Sequence, residues 1–408
     1  MAGFASNNAL MAAIAAGQVW SQPFSKQFQP TTVAVANEWH VMARGGGNPP
    51  ADAIFDAGTN LLFQSLSDQT ASAGSIYHGG DVGVIADDFK TLISGLAVTA
   101  AATVAPAMIQ LVDILGFIRV TSVTTTTAQT VIWPYNDGTA TGGGETTTFT
   151  SSSGLLGTYT NDIQSLSKVR FRNSGGALPT GIAAGTDYWT VRVSATTSRF
   201  ATSRANAIAG TVIAFTDAGT GTNVIDVRLP RYSDGRMVQA LFFNPAATPL
   251  GAGTPQLTLG YQNGAGTTGR ATPTSPSAPI GKTAAANSIV LYSGATGAGK
   301  FGPAIPLAAG DSGIRSIQTV RNNSSYVSGS YTVALFVPLA EFPLQVLGQA
   351  SMIDFTQGMF PSFPRVYDGA ALYWILKSGA ATPVNSQIDG RLNFAWSSAP
   401  RRGASFDH

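Results

Sequence analysis

In several segments after about residue 120, apolar residues recur at every second position, a period that strands satisfy and helices do not. Leu257, Leu259 and Tyr261 face one way in QLTLGYQ, as do Tyr331, Val333, Leu335 and Val337 in YTVALFV and Leu392, Phe394 and Trp396 in RLNFAW. Each segment predicts a half-buried strand. Thr-rich runs between them favour the same state, because branched side chains fit a pleated surface. With 46 Gly and 22 Pro punctuating the chain, the pattern predicts a mainly β protein with a β-sandwich, jelly-roll or barrel-like body.

Upstream, the signals are mixed. Residues 7–17 are Ala-rich and predict a short helix capped by Ser6 or Asn7. GGGNPP at 45–50 is a breaker and turn. Asp87–Leu96 predicts a second short helix, with Asp87 and Asp88 suited to its positive N-terminus. Met108–Val120 ends in LVDILGFIRV and fits a buried helix or a buried strand. The uncharged stretch Thr91–Val112 is long enough to span a bilayer. Its Ser94, Thr99, Thr103, Pro106 and Gln110 favour a buried helix and strand of a soluble core instead, so no membrane partner is expected.

Only 11% of the residues are charged, against about 25% in ordinary soluble domains. A free monomer relies on surface charge to stay apart from its neighbours, whereas a subunit covered by other subunits needs less. The expected partners are therefore copies of this chain and other proteins of one assembly. The net charge of +2, from 23 basic and 21 acidic residues, is no footprint for sequence-specific nucleic-acid binding. Cysteine is absent, which excludes disulfides and thiolate metal sites. The first lysine is Lys26, so the apolar run Ala9–Ala16 lacks the charged start of a secretory signal.

Two similar turn phrases, Trp133-Pro-Tyr-Asn-Asp-Gly138 and Leu229-Pro-Arg-Tyr-Ser-Asp-Gly235, bracket a Gly- and Ser/Thr-rich stretch and a compact β pattern over 149–228. Within it Trp189, Val191 and Val193 alternate with Tyr188, Thr190 and Arg192, and Ile225, Val227 and Leu229 with Val224, Asp226 and Arg228. The expected organisation is an N-terminal part of the body (1–140, a helical arm then strands), an inserted small β module (141–228) and a C-terminal β part of the same body (229–408).

Within that module, Phe171-Arg-Asn-Ser-Gly-Gly-Ala-Leu-Pro-Thr-Gly181, Ala184-Gly-Thr-Asp-Tyr-Trp189, Thr197-Ser-Arg-Phe200 and Asp217-Ala-Gly-Thr-Gly221 follow in order. Together they resemble a small β module that recurs in tailed-bacteriophage structural proteins, whose usual form has a Tyr pair where this chain has Tyr188 and Trp189. The resemblance implies a virion context and an accessory, surface-displayed domain without catalysis. The rest of the chain more weakly resembles uncharacterised tailed-phage virion proteins. The phrases are Tyr77-His-Gly-Gly-Asp81, Leu111-Val-Asp-Ile-Leu-Gly-Phe117, Gly302-Pro-Ala-Ile-Pro-Leu-Ala-Ala-Gly-Asp311 and Tyr367-Asp-Gly-Ala370. The long charged spine helix usual in the tailed-phage capsid-shell fold has no counterpart in this sequence.

Motifs for other chemistry are incomplete. Gly294-Ala-Thr-Gly-Ala-Gly-Lys300 starts like a phosphate-binding loop, but Phe301 replaces the magnesium-binding hydroxyl and Gly302, Pro303 and Pro306 replace the helix. In the similar Gly281-Lys-Thr283, Pro276 stands where the first glycine belongs. His40, His78 and His408 are the only histidines. His78-Gly-Gly-Asp81 reads as a turn rather than a cation site. No nucleophile elbow is present. Asp113 and Glu341 lie in apolar runs, where ion-pair partners such as Arg119 or Arg315 explain them as well as glycosidase chemistry does. No cofactor, metal or catalytic residue is expected.

The expectation is a non-enzymatic structural component of a phage particle, assembled in the bacterial host cytoplasm. A head position as capsid shell, cement or decoration is favoured. The alternatives are a tail or fibre component that binds the host surface and, less favoured, a virion-associated hydrolase. Candidate interaction residues are Phe336, Leu339, Phe342, Phe360 and Phe363 within the apolar Pro/Phe-rich C-terminal region. Tyr188 and Trp189 on the module could stack a host glycan, against the simpler and favoured expectation of a small β core with one exposed ring. Residues 337–364 are expected to supply both core and intersubunit contacts, with residues 1–30 as a second contact arm.

Overall fold

The computed structural model describes residues 7–28, 38–67, 74–78, 89–100, 106–132, 144–151, 156–245, 250–251, 255–273, 289–290, 303–357, 364–379 and 386–396. The protein is mainly β, and all pairings between its named strands are antiparallel. The run that fitted a helix or a strand is the strand Ala107–Val120, paired along its whole length with Tyr331–Leu344. From there hydrogen bonding passes to Gln239–Asn244, Ile289–Val290, Trp39–Val41 and Leu372–Ser378, then back to Ala107–Val120. These strands close a ring, and Phe63–Ser65 adds to the edge of Ala107–Val120 beyond Leu372–Ser378.

Both faces of this ring are covered. One carries Val41, Val112, Ile114, Phe117, Leu241, Phe243, Phe336, Tyr373 and Ile375. Phe55, from a short 3-10 turn, packs edge-on against Phe117, Phe243 and Tyr373 at 5.1–5.4 Å between centroids. The other face carries Leu111, Leu115, Val333, Leu335, Phe242 and Trp374. It packs against Phe24, Leu92, Leu392 and Phe394 of a second sheet and Leu257, Leu259, Tyr261 and Val320 of a third. Strands covered on both faces lose their alternation and become continuously apolar. That corrects the half-buried expectation for Tyr331–Val337, where every residue is buried. Gly116 interrupts the central strand because Phe63 and Gln64 cross there. A Cβ would lie 2.3 Å from the Phe63 ring and 2.5 Å from the Gln64 carbonyl oxygen.

The second sheet orders Ser351–Asp354, Phe89–Thr99, Gln387–Ala395, Val19–Gln27 and Gly47–Asn48, and Arg365–Tyr367 also pairs with Phe89–Thr99. The helix expected over Asp87–Leu96 is instead a strand over its described residues, from Phe89 onward, and Asp87 and Asp88 lie outside the described residues. Its local signal was an N-terminal pair of carboxylates. Thr91, Ile93, Val98 and Thr99 are β-branched, and pairing on both edges outweighs the local preference. Thr91–Thr99 and Ala107–Val112 thus lie in two strands, and no helix among the described residues is long and apolar enough to cross a membrane. The predicted N-terminal helix is present as Asn7–Ala15, and its Leu10 packs on Ile93 and Ala395.

A separate seven-stranded sheet contains only strands between Glu145 and Val227. Its core is Phe149, Tyr159, Val169, Phe171, Tyr188, Phe200, Phe215, Ile225 and Val227. Its first strand pairs with its last, Glu145 with Ile225 and Thr146 with Val224, so chain entry and exit lie side by side.

Candidate functional site

Several of the body's buried charged groups, Asp113, Arg231, Lys90 and Asp368, gather where the module joins it. Asp113 interrupts the apolar central strand, and its carboxylate is fully buried. Its partner is Arg231, from the turn phrase following the module, rather than Arg119 or Arg315. Arg231 Nε donates to Asp113 Oδ2 at 2.8 Å and Nη2 donates to Oδ1 at 2.7 Å. Nη1 donates to the carbonyls of Leu66 and Gly369, each at 2.7 Å, and Nη2 also reaches the Ile114 carbonyl at 3.1 Å. These contacts match the five N–H groups a guanidinium offers. The backbone N–H of Ala371 adds a third donor to Asp113. Arg119 pairs instead with Asp56.

Beside this hub, Lys90 Nζ lies 3.3 Å from Asp368 Oδ1 and 3.4 Å from His78 Nδ1, with Lys90 and His78 fully buried. His78 Nε2 is 3.1 Å from the Ala370 carbonyl oxygen. A carbonyl only accepts, so Nε2 carries the ring proton and Nδ1 is the acceptor. Burial, reinforced by the Lys90 charge, holds the His78 pKa well below its usual 6.5. The module reaches the same place from the other side: Arg204 Nη2 donates to the Ser67 carbonyl at 3.3 Å, and Ser67 Oγ donates to the Ser165 carbonyl at 2.9 Å.

Phrases far apart in sequence thus meet here. Tyr77–Asp81 supplies His78, Leu111–Phe117 supplies Asp113, Leu229–Gly235 supplies Arg231, and Tyr367–Ala370 supplies Asp368. Sequence reasoning singled out Asp113 and His78 but missed Arg231, Lys90 and Asp368 as their partners. The only signal was that these residues belong to the quoted phrases or flank an uncharged run.

A cleft of about 640 Å³ opens next to the hub, between the module exit, the Val337–Leu339 bend and Pro364–Tyr367. Tyr232 and Tyr367 meet edge-to-face in it at 5.1 Å, and the Tyr232 hydroxyl donates to the Arg365 carbonyl at 3.2 Å. Burial, with the Asp113 charge, raises the Tyr232 pKa well above 10.

The candidate interaction residues mostly belong to the chain's own cores. Phe336 and Phe342 are fully buried, Phe342 against Trp374 at 5.7 Å, so neither is open to a partner. Leu339 is nearly buried and lines the cleft. Tyr188 sits in the module core, its hydroxyl accepting from the Ala183 N–H at 2.8 Å. Trp189 packs on Leu166, Ala201 and Ala207 beneath the Lys168 ammonium. With both rings buried, they form no glycan-stacking surface; they belong to the module's small β core, and neither is the one exposed ring expected there. Among the described residues of 337–364, the exposed large apolar side chains are instead Val346, Leu347 and Met352, at 53%, 46% and 67% exposure. Phe360, Phe363, both Gly-Lys loops, Asp81 and His408 lie outside the described residues. No group of His, Cys, Asp and Glu suited to a metal occurs among the described residues. His40 is buried against Phe28, and Glu341 accepts from Gln110 Nε2 at 2.6 Å.

No protein-family model matches the chain, and no curated protein matches it. Among solved structures it is weakly similar to the D431N mutant VP2 protein of infectious bursal disease virus in derived T=1 particles. That match has 12% identity and a TM-score of 0.11, and covers 78% of this chain and 81% of that one. It is likewise similar to VP2 of a subviral particle of the same virus, at 12% identity and a TM-score of 0.10, over 84% and 87% of the two chains. At these scores the likeness carries no argument about this chain.

Proposed function

We propose that this chain is an architectural subunit of a tailed-bacteriophage particle, in the head, working through contacts with copies of itself and other virion proteins. One observation carries the reading: three of the four body phrases resembling phage virion proteins supply His78, Asp113 and Asp368 to one buried polar junction whose groups tie strands and module together. Asp113, the acid that sequence reasoning weighed as a catalyst, is held by Arg231 and a backbone N–H. Low charge supports the same reading, as does the exposed apolar group Val346, Leu347 and Met352. Such contacts are driven by burial at about 25 cal/mol per Å², less the cost of association, and resist salt because they are not mainly ionic. Sedimentation of the purified chain at low and high salt tests this. Assemblies that persist at high salt are expected; a monomer at high concentration in both would overturn the proposal.

A further inference from the structure

We propose that Lys90 and Asp368 are the two halves of an intramolecular isopeptide bond that His78 assists, so that the mature chain is covalently cross-linked between the strand Phe89–Thr99 and the turn after Arg365–Tyr367. The geometry provides each part. Val366 is the register partner of Lys90, and this pairing brings Asp368 to the lysine. The Lys90 Nζ to Asp368 Oδ1 distance is 3.3 Å, with the side chains 0% and 5% exposed. The nitrogen is thus held against the carboxyl group whose carbon it would attack, and holding two groups in place replaces a bimolecular encounter. His78 presents an unprotonated Nδ1 to the same nitrogen at 3.4 Å, its orientation fixed by the Nε2 contact to Ala370.

Burial prepares the reactants. Charges removed from water are costly, and passing a proton from the ammonium to the carboxylate turns the ion pair into a neutral amine and a neutral acid. The amine nitrogen then attacks Cγ of Asp368, forming the C–N bond and moving the carbonyl electron pair onto oxygen. His78 Nδ1 takes a proton from that nitrogen and returns it to the departing hydroxyl. The C–O bond breaks, the carbonyl reforms, and one water leaves. The step needs no oxidant or co-reactant, and it removes two buried charges from the body's interior.

The test is the intact mass of the purified full-length chain after folding and prolonged incubation, followed by peptide mapping. The wild-type chain is expected lighter than its sequence mass by one water, with a branched peptide joining Lys90 to Asp368. Lys90→Met should keep its full sequence mass. His78→Gln should form the bond roughly a hundredfold more slowly, as loss of a positioned acid–base group implies. A wild-type chain at full sequence mass, or a water loss with only linear peptides, would overturn the bond whether or not the variants fold. An unchanged rate in His78→Gln would remove His78 from it.

Discussion

Replacing Arg231 by methionine keeps the length of the side chain and removes all its donors. The Asp113 carboxylate would then stay fully buried with only the Ala371 N–H, and the carbonyls of Leu66, Ile114 and Gly369 would lose a donor. Breaking a buried ion pair from one side costs about 3–5 kcal/mol, and each orphaned carbonyl adds up to about 1–3 kcal/mol where neither water nor another donor reaches it. These terms overlap, so about 4 kcal/mol is expected, a large share of the roughly 5–15 kcal/mol that holds a native domain. Adding Asp113→Leu removes the stranded charge, so the double variant should recover about 2 kcal/mol relative to the sum of the two single changes. Urea unfolding of the four chains, read as midpoints at constant slope, measures this. A loss below about 1 kcal/mol for Arg231→Met, or strict additivity, would refute the junction as a coupled structural hub.

Three further outcomes follow from the same geometry. His78, facing Lys90, Asp368 and Arg231, stays neutral when folded because burial lowers its pKa. Below about pH 6.5 the unfolded chain therefore binds the extra proton, and stability falls with pH by up to about 1.4 kcal/mol per unit. Urea midpoints between about pH 7.5 and 5.5 should show this slope, and His78→Phe should flatten it; equal slopes would count against it. Because Glu145 pairs with Ile225, replacing 145–227 by a short Gly/Ser linker should leave a soluble body that unfolds cooperatively. An insoluble or non-cooperative product would show that module and body are one folding unit. Val346→Asp combined with Met352→Asp should weaken self-association at least about tenfold, roughly 1.4 kcal/mol, in sedimentation, while leaving the unfolding midpoint nearly unchanged; unaltered association would exclude this patch.

Sequence period made the β class legible, along with the faces of individual strands such as Leu257, Leu259 and Tyr261. Ala content did the same for the helix Asn7–Ala15. What it left undecided was set by distant partners. Ala107–Val120 is a strand because Tyr331–Leu344 lies along it, more than two hundred residues away. Phe89–Thr99 is a strand because Gln387–Ala395 pairs with it, against a local helix signal at Asp87 and Asp88. The junction was legible only in fragments. Asp113 stood out as an acid in an apolar run, but nothing local points to Arg231, 118 residues on. Trp189 looked available for stacking because alternation gives a face, not whether Leu166, Ala201 and Ala207 cover it.

The most direct test of the architectural role is a cryo-EM reconstruction of the particle that carries this chain, with the chain traced into the map. The account predicts many symmetry-related copies in the head, with the ring-centred body packed against its neighbours and the 145–227 module displayed outward. A map that places the chain outside the head, or as a single copy with its apolar surface open to solvent, would contradict it.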